Sequence, residues 1–296
     1  MFSRRHPYLF FLLTFSSIVA ATMILMTLLV VFSARDTEFE FGEKVGVIEI
    51  NGVIAESKNV LNYLKRFRED NAIKAIVVRV DSPGGAVGPS QEIFREIRKT
   101  SAIKKVVASM GTIATSGGYY IAAGANGIVA NPGTITGSIG VIMGFTNYEE
   151  LLNKIGLVPI VVKSGKYKDI GSPVRKMKPE EKEILKQFAK KIHRQFIEDV
   201  VAGRKMDIKK VESLADGRIF TGKESKKYGL VDRLGNLEDA IEWAGRLGGI
   251  KGKISTVYAK EKKFSFFKYI TDSSARTLLN HILDPKLSAD YIYRPE

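Results

Sequence analysis

The chain has 296 residues, 45% of them hydrophobic and 26% charged, enough for one or two domains with a substantial core. Its 46 Lys and Arg against 32 Asp and Glu give a net charge of +14, spread along the chain without a nucleic-acid-binding signature, so no nucleic-acid partner is expected. With no cysteine, disulfides, cysteine nucleophiles and thiolate metal sites are excluded, and the three histidines (His6, His193 and His281) are too scattered to imply a metal site.

The first element is a run without charge from Leu9 to Phe32, preceded by Arg4 and Arg5. Its length matches a hydrocarbon core of roughly 30 Å. A cleaved signal peptide would carry a shorter apolar region of roughly 7–15 residues. Phe32-Ser33-Ala34 is also a poor cleavage site. The reading is therefore a cytoplasmic N-terminus over 1–8, an uncleaved transmembrane anchor over 9–33 and a polar linker over 34–44. The positive-inside rule puts the rest of this single-pass chain outside the cytoplasm.

Strand and helix signals then alternate. Val45–Ile50, Ala75–Val80 and Lys105–Ser109 read as strands rich in β-branched residues. Asn59–Phe67 and Ser90–Ile97 carry apolar residues at helical spacing. Gly127–Ala130, Ile139–Met143 and Pro159–Lys163 read as further strands, with a loop at Thr134–Ser138 and a helix over Tyr148–Ile155. Pro179 opens a long amphipathic helix running to Val201, with Glu180, Glu181 and Glu183 at its positive end. His193 lies in mid-helix and reads as a surface or packing residue. Thr221-Gly-Lys-Glu224 is a capping box, and Gly229 is placed to end that helix. Another helix starts at Asn236 and stops at Gly248-Gly249, and Ile254–Tyr258 reads as a last strand. The alternation predicts an α/β domain with a mostly parallel sheet over 45–250, followed by a C-terminal strand and tail over 251–296.

The chemistry concentrates in two glycine-rich turns that follow strands, Ser82-Pro-Gly-Gly85 and Ser116-Gly-Gly118. Ser116 stands where a strand passes into a helix, a place where a hydroxyl can be exposed beside unpaired N–H groups. The plainer reading is a helix cap with a glycine turn. If the two strands are neighbours, the N–H groups of Gly85 and Gly117 converge on an oxyanion near Ser116. A serine nucleophile needs a base, and no histidine lies between Val45 and His193. Lysine is the alternative, and the loop Lys163-Ser-Gly-Lys166-Tyr-Lys168 offers three. A lysine base needs its pKa lowered by roughly 3 units, about 4 kcal/mol, through burial and hydroxyl contacts.

These motifs, in this order, resemble the signal peptide peptidase A family in its short, single-domain form, within the Clp protease/crotonase superfamily. The match rests on Asp81-Ser-Pro-Gly-Gly85, Ser116-Gly-Gly-Tyr-Tyr120, Ala130–Val141, Lys163–Asp169, Phe220-Thr-Gly222 and Gly229-Leu-Val-Asp232. The resemblance implies a Clp/crotonase-like spiral fold and a Ser/Lys dyad without cofactor. Ser116 matches the nucleophile, Lys168 the general base and Ser138 the hydroxyl that positions the lysine. Gly85 and Gly117 match the oxyanion hole. It also implies a homo-oligomer, often an octameric dome, with sites at subunit interfaces, so that Lys168 serves a neighbour's Ser116. The implied substrates are residual signal peptides, and the alternative is broader degradation of misfolded or secreted proteins. An acyl-CoA enzyme of the crotonase type would share the oxyanion logic, but an outward-facing domain is poorly placed for cytosolic coenzyme A. A non-enzymatic scaffold would have no use for the Ser116, Ser138 and Lys168 set.

Overall fold

A computed structural model describes residues 6–35, 42–259 and 290–292. Most of the linker and most of the C-terminal tail lie outside the described residues. The chain forms two units, Met1–Gly42 and Glu43–Glu296.

Among the described residues, the first unit holds one helix, α1 (Pro7–Arg35). Its segment Pro7–Leu28 has a mean hydropathy of 2.3, and its 22 residues rise about 33 Å at 1.5 Å each. That is long and apolar enough to cross a bilayer. The hydroxyls of Thr14, Ser17 and Thr22 donate to carbonyls one turn back, so the polar side chains satisfy themselves within the helix.

The second unit is built on a mostly parallel sheet. Its strands are β1 (Lys44–Asn51), β2 (Ile73–Ser82), β4 (Lys105–Thr115), β5 (Gly127–Ala130), β6 (Ile135–Gly137), β7 (Ile219–Thr221), β8 (Arg233–Leu234) and β9 (Ser255–Tyr258). The main order is β7-β6-β4-β2-β1-β9, with β5 beside β4 and β8 beside β5. Only β6–β7 is antiparallel within it. Helices lie between the strands, as parallel crossovers require: α2 (Lys58–Glu69), α3 (Val87–Ser101), α4 (Gly117–Ala122), α5 (Glu149–Lys154), α6 (Pro179–Arg204), α7 (Ile208–Leu214), α8 (Gly222–Tyr228) and α9 (Leu237–Leu247).

Alternation along the strands feeds two cores. Val45, Val47, Ala75, Val77 and Val107 pack against Ala240, Ile241 and Ala244 of α9. Ile48, Ile76, Val78 and Met110 face Leu64, Phe67, Ile93 and Ile97 from α2 and α3. Burial on both faces is why these strands read as nearly continuous apolar runs.

β4 is the pivot. Its first part, Val107–Met110, pairs with β5, and its last residues, Ile113–Thr115, pair with β6. The opposite edge of β4 pairs with β2 throughout, up to Ser82 opposite Ala114. The ends of β2, β4 and β6 are thereby brought side by side. A short strand β3 (Gly84–Ala86) follows β2 and pairs antiparallel with β10 (Asp290–Ile292) from the C-terminal tail.

Two expected strands are absent. Ile139–Met143 holds only a single bridge residue, Ile142, and the strand forms earlier, at Ile135–Gly137, within the segment read as a loop. β4 and β7 leave room for three paired residues there, and Gly137 and Ser138, both at positive φ, end the strand. Pro159–Lys163 belongs to no strand, with Ile160 and Val162 almost fully exposed. β propensity needs a neighbouring strand, and the described residues supply none here.

Candidate active site

Ser116 follows β4 in a conformation that side chains avoid, φ 53° and ψ −116°. Neighbours enforce it. Its N–H donates to Gly137 O at 2.8 Å, and its C=O accepts from Tyr120 N at 2.8 Å, the first turn of α4. Ser116 occupies the N-cap position of α4, as the plain reading expects, but its side chain makes no capping bond to the helix. The residue is 1% exposed, at the carboxyl edge of the sheet, where α/β folds gather their sites.

The register places Ser138 beside it. Thr115 of β4 pairs with Gly137 of β6, so Ser116 and Ser138 are the next residues on two adjacent parallel strands. Ser138 also takes positive φ, 50°, and its N–H donates to Arg218 O at 2.8 Å. Both serines line one cleft of about 380 Å³ with Ile139, Ile142 and the α6 residues Lys186, Lys190 and His193. Asp216 also lines it, and the Arg218 guanidinium holds the Asp216 carboxyl down at about 2.

β2 and β4 are neighbours, the condition for the two glycine turns to meet. Thr115 Oγ1 donates to Pro83 O at 3.1 Å, tying the turns together. A Cβ on Gly118 would come within 2.8 Å of Ser82 O, so glycine there permits the close approach of α4 to the turn after β2. α4 also packs against β3, which carries Gly85. Gly85 itself is pressed onto Ile54: a Cβ would lie 2.2 Å from Ile54 O. Gly84 O accepts from Ile54 N at 2.9 Å, and Ala86 N donates to Ile54 O at 2.8 Å. Strand alternation then turns the Gly85 N–H to the other edge, where Tyr291 of β10 is its register partner. That edge of β3 is thus the one that pairs antiparallel with β10 of the chain's own tail.

Lys168 is not among the residues lining the cleft. It lies in an exposed chain of turns, where Lys168 N donates to Gly165 O at 3.1 Å and Ile170 N to Tyr167 O at 3.1 Å. The three lysines of this loop differ in their partners. Lys163 Nζ is held by Asp169. Lys166 Nζ lies 2.8 Å from Glu180, whose hydrogen bond raises its pKa, the wrong direction for a base. Lys168 has neither an ion pair nor a side-chain hydrogen bond among the described residues.

His193, expected as a surface or packing residue, is half-buried and lines the cleft that holds Ser116. Its Nε2 is buried with no hydrogen-bond partner among the described residues. The only sequence signal was its phase: Lys186, Lys190 and His193 share one face of α6 at helical spacing.

Residues 98–251 match the sequence profile of peptidase family S49. A Synechocystis sp. protein provisionally named a protease is 50% identical over 210 residues, covering 70% of this chain and 76% of the relative. An Enterococcus faecium protein provisionally named signal peptide peptidase SppA is 38% identical over 214 residues, covering 68% of this chain and 62% of the relative. A Methanocaldococcus jannaschii protein provisionally named a protease is 32% identical over 272 residues, covering 87% and 86% of the two chains.

Proposed function

The chain belongs to peptidase family S49, the signal peptide peptidase A family, and is a serine-type peptidase; from that premise we propose that Ser116 is its nucleophile, Lys168 its general base and residual signal peptides its substrates. The observation that carries this reading is Ser116 itself. It is held at φ 53° between β4 and α4, free of any cap bond, and shares a cleft with Ser138.

In the proposed reaction, neutral Lys168 Nζ takes the proton from Ser116 Oγ as the oxygen attacks the peptide carbonyl carbon. The N–H groups of Gly85 and Gly117 hold the oxyanion, a contribution on the order of 3–4 kcal/mol per donor. Collapse breaks the C–N bond, and the lysine ammonium gives its proton to the departing amine. Water, deprotonated by Lys168, then attacks the acyl carbon; the C–Oγ bond breaks and the lysine ammonium returns the proton to Ser116 Oγ. Ser138 positions the amine. The pairing of β10 with β3 supports binding of the substrate as an added strand.

In this reading Lys168 serves the Ser116 of a neighbouring subunit in a homo-oligomer. Two observations support it. Lys168 stands apart from its own cleft, and the segment before it exposes Val158, Ile160 and Val162, with Phe188 half-exposed on α6. Apolar exposure on this scale calls for a covering partner. α1 acts as the membrane anchor, with Arg4 and Arg5 on the cytoplasmic side and the peptidase unit outside. An anchored enzyme meets signal peptides where they are released, which favours them over general degradation of secreted proteins.

Mixing inactive Ser116→Ala and Lys168→Ala chains tests the shared site. Activity toward a fluorogenic peptide is expected to return once the subunits exchange. No return despite demonstrated exchange would contradict a base supplied by the neighbour.

A further inference from the structure

The base proposed above sits in a segment with little to hold it. Residues 165–172 form single turns, with no helix or sheet ladder, and residues 158–162 before them are exposed and lie in no strand. A general base must nevertheless be held to a fraction of an ångström.

The fixed point is Arg175. Its Nε donates to Asp169 Oδ2 at 2.7 Å and its Nη2 to the Asp169 backbone carbonyl at 3.1 Å. On its other side Nη1 and Nη2 donate to the two carboxylate oxygens of Glu181, at 2.8 and 2.6 Å. Glu181 is 1% exposed and belongs to the first turn of α6, where its Oε2 also accepts from Lys178 N at 2.9 Å. One guanidinium thus joins a buried carboxylate of α6 to both the side chain and the backbone of the residue after Lys168. Lys163 closes the cluster on Asp169 Oδ1. The planar fork suits this task, since an ammonium cannot present two parallel pairs of donors. The same helix α6 carries Lys186, Lys190 and His193 along the Ser116 cleft of its own chain.

We infer that Arg175 is a positioning residue for the reaction: clamped between Asp169 and Glu181, it sets the place of Lys168 relative to α6. This rests on the reading of Lys168 as the base. A loosened clamp displaces the base without touching the peptide-binding edge, so turnover falls while substrate affinity holds.

The test uses the full-length chain in detergent, with kcat, KM, assembly size and thermal midpoint measured for Arg175→Ala, Arg175→Lys and Lys168→Ala. Arg175→Ala is expected to lower kcat by about tenfold or more with KM within about twofold and the assembly unchanged. Ethylguanidinium, filling the vacated fork, is expected to restore part of kcat in Arg175→Ala and none in Lys168→Ala. If kcat is unchanged in Arg175→Ala, or falls without relief by ethylguanidinium, the clamp has no positioning role. If Arg175→Ala fails to assemble, Arg175→Lys carries the test: a lowered kcat at unchanged KM supports the inference, and full kcat overturns it. Full activity in Lys168→Ala would instead remove the base reading, and the clamp's proposed role with it.

Discussion

The backbone at Ser116 makes a prediction that separates chemistry from stability. Its φ and ψ, 53° and −116°, mirror the conformation found at the second residue of a type II turn, a region open to glycine and costly for any other residue. A non-glycine residue there stores about 1–3 kcal/mol. Two substitutions remove the hydroxyl, but only one removes the strain. Ser116→Ala keeps the Cβ and the cost, whereas Ser116→Gly releases it and loses about 0.5–1 kcal/mol to the greater freedom of glycine in the unfolded chain. The glycine variant should therefore be the more stable by about 1 kcal/mol, or about 2–4 °C in thermal midpoint for a unit of this size. Both variants should be inactive. Parallel thermal and urea unfolding of the two variants measures the difference. A Ser116→Gly variant no more stable than Ser116→Ala would refute the claim that the fold holds the serine under strain.

Other outcomes follow from the same geometry. Gly85→Ala drives a Cβ to 2.2 Å from Ile54 O and 2.5 Å from Ile54 N, backbone atoms that cannot move aside cheaply. It should destabilise by about 1–3 kcal/mol in urea unfolding and reduce peptide cleavage. Ser138→Ala removes the hydroxyl proposed to position the neutral lysine amine, a hydrogen bond of about 0.5–1.5 kcal/mol, so kcat should fall by roughly two- to tenfold with the fold intact. The Arg175 clamp sets a pH dependence. Hydrogen bonds from Arg175, then from Lys178 N, lower the Glu181 pKa from 4.5 to about 2, and Arg175 and Lys163 hold Asp169 below the usual carboxylate range. For carboxyls depressed in the folded state, the added stability is present above the ordinary pKa and lost as pH falls through the folded one. The gap in thermal midpoint between the natural chain and Glu181→Gln should thus close between about pH 4.5 and pH 2; a gap independent of pH would contradict the clamp.

Local chemistry made much of this fold readable in advance. The Thr221 box forms as expected, with Glu224 N donating to Thr221 Oγ1 and Thr221 N to Glu224, and Gly229 ends α8 at φ 87°. Asn236 caps α9 in the same manner. These signals lie within four residues of each other, so sequence carries them whole. Elements decided by distant partners were less legible. Ile139–Met143 and Pro159–Lys163 have β composition, but whether they pair depends on neighbours far away in the chain. β3 became visible only through its contacts with Ile54 and with the tail. The site divides along the same line. Ser116 and Gly85 could be named because each follows a strand at a glycine turn. His193 could not, because only the packing of α6 brings it to the cleft. The clamp of Asp169, Arg175 and Glu181 likewise spans a loop and a helix start, with each residue unremarkable by itself.

The central claim is that Ser116 is a nucleophile activated by Lys168. It is tested most directly by covalent capture with a fluorophosphonate probe, with the labelled peptide located by mass spectrometry. A single adduct on Ser116 is expected in the natural chain, none in Ser116→Ala, and labelling slowed by about 10²–10⁴ in Lys168→Ala. An adduct on another serine, or capture at Ser116 that proceeds at the natural rate without Lys168, would contradict it.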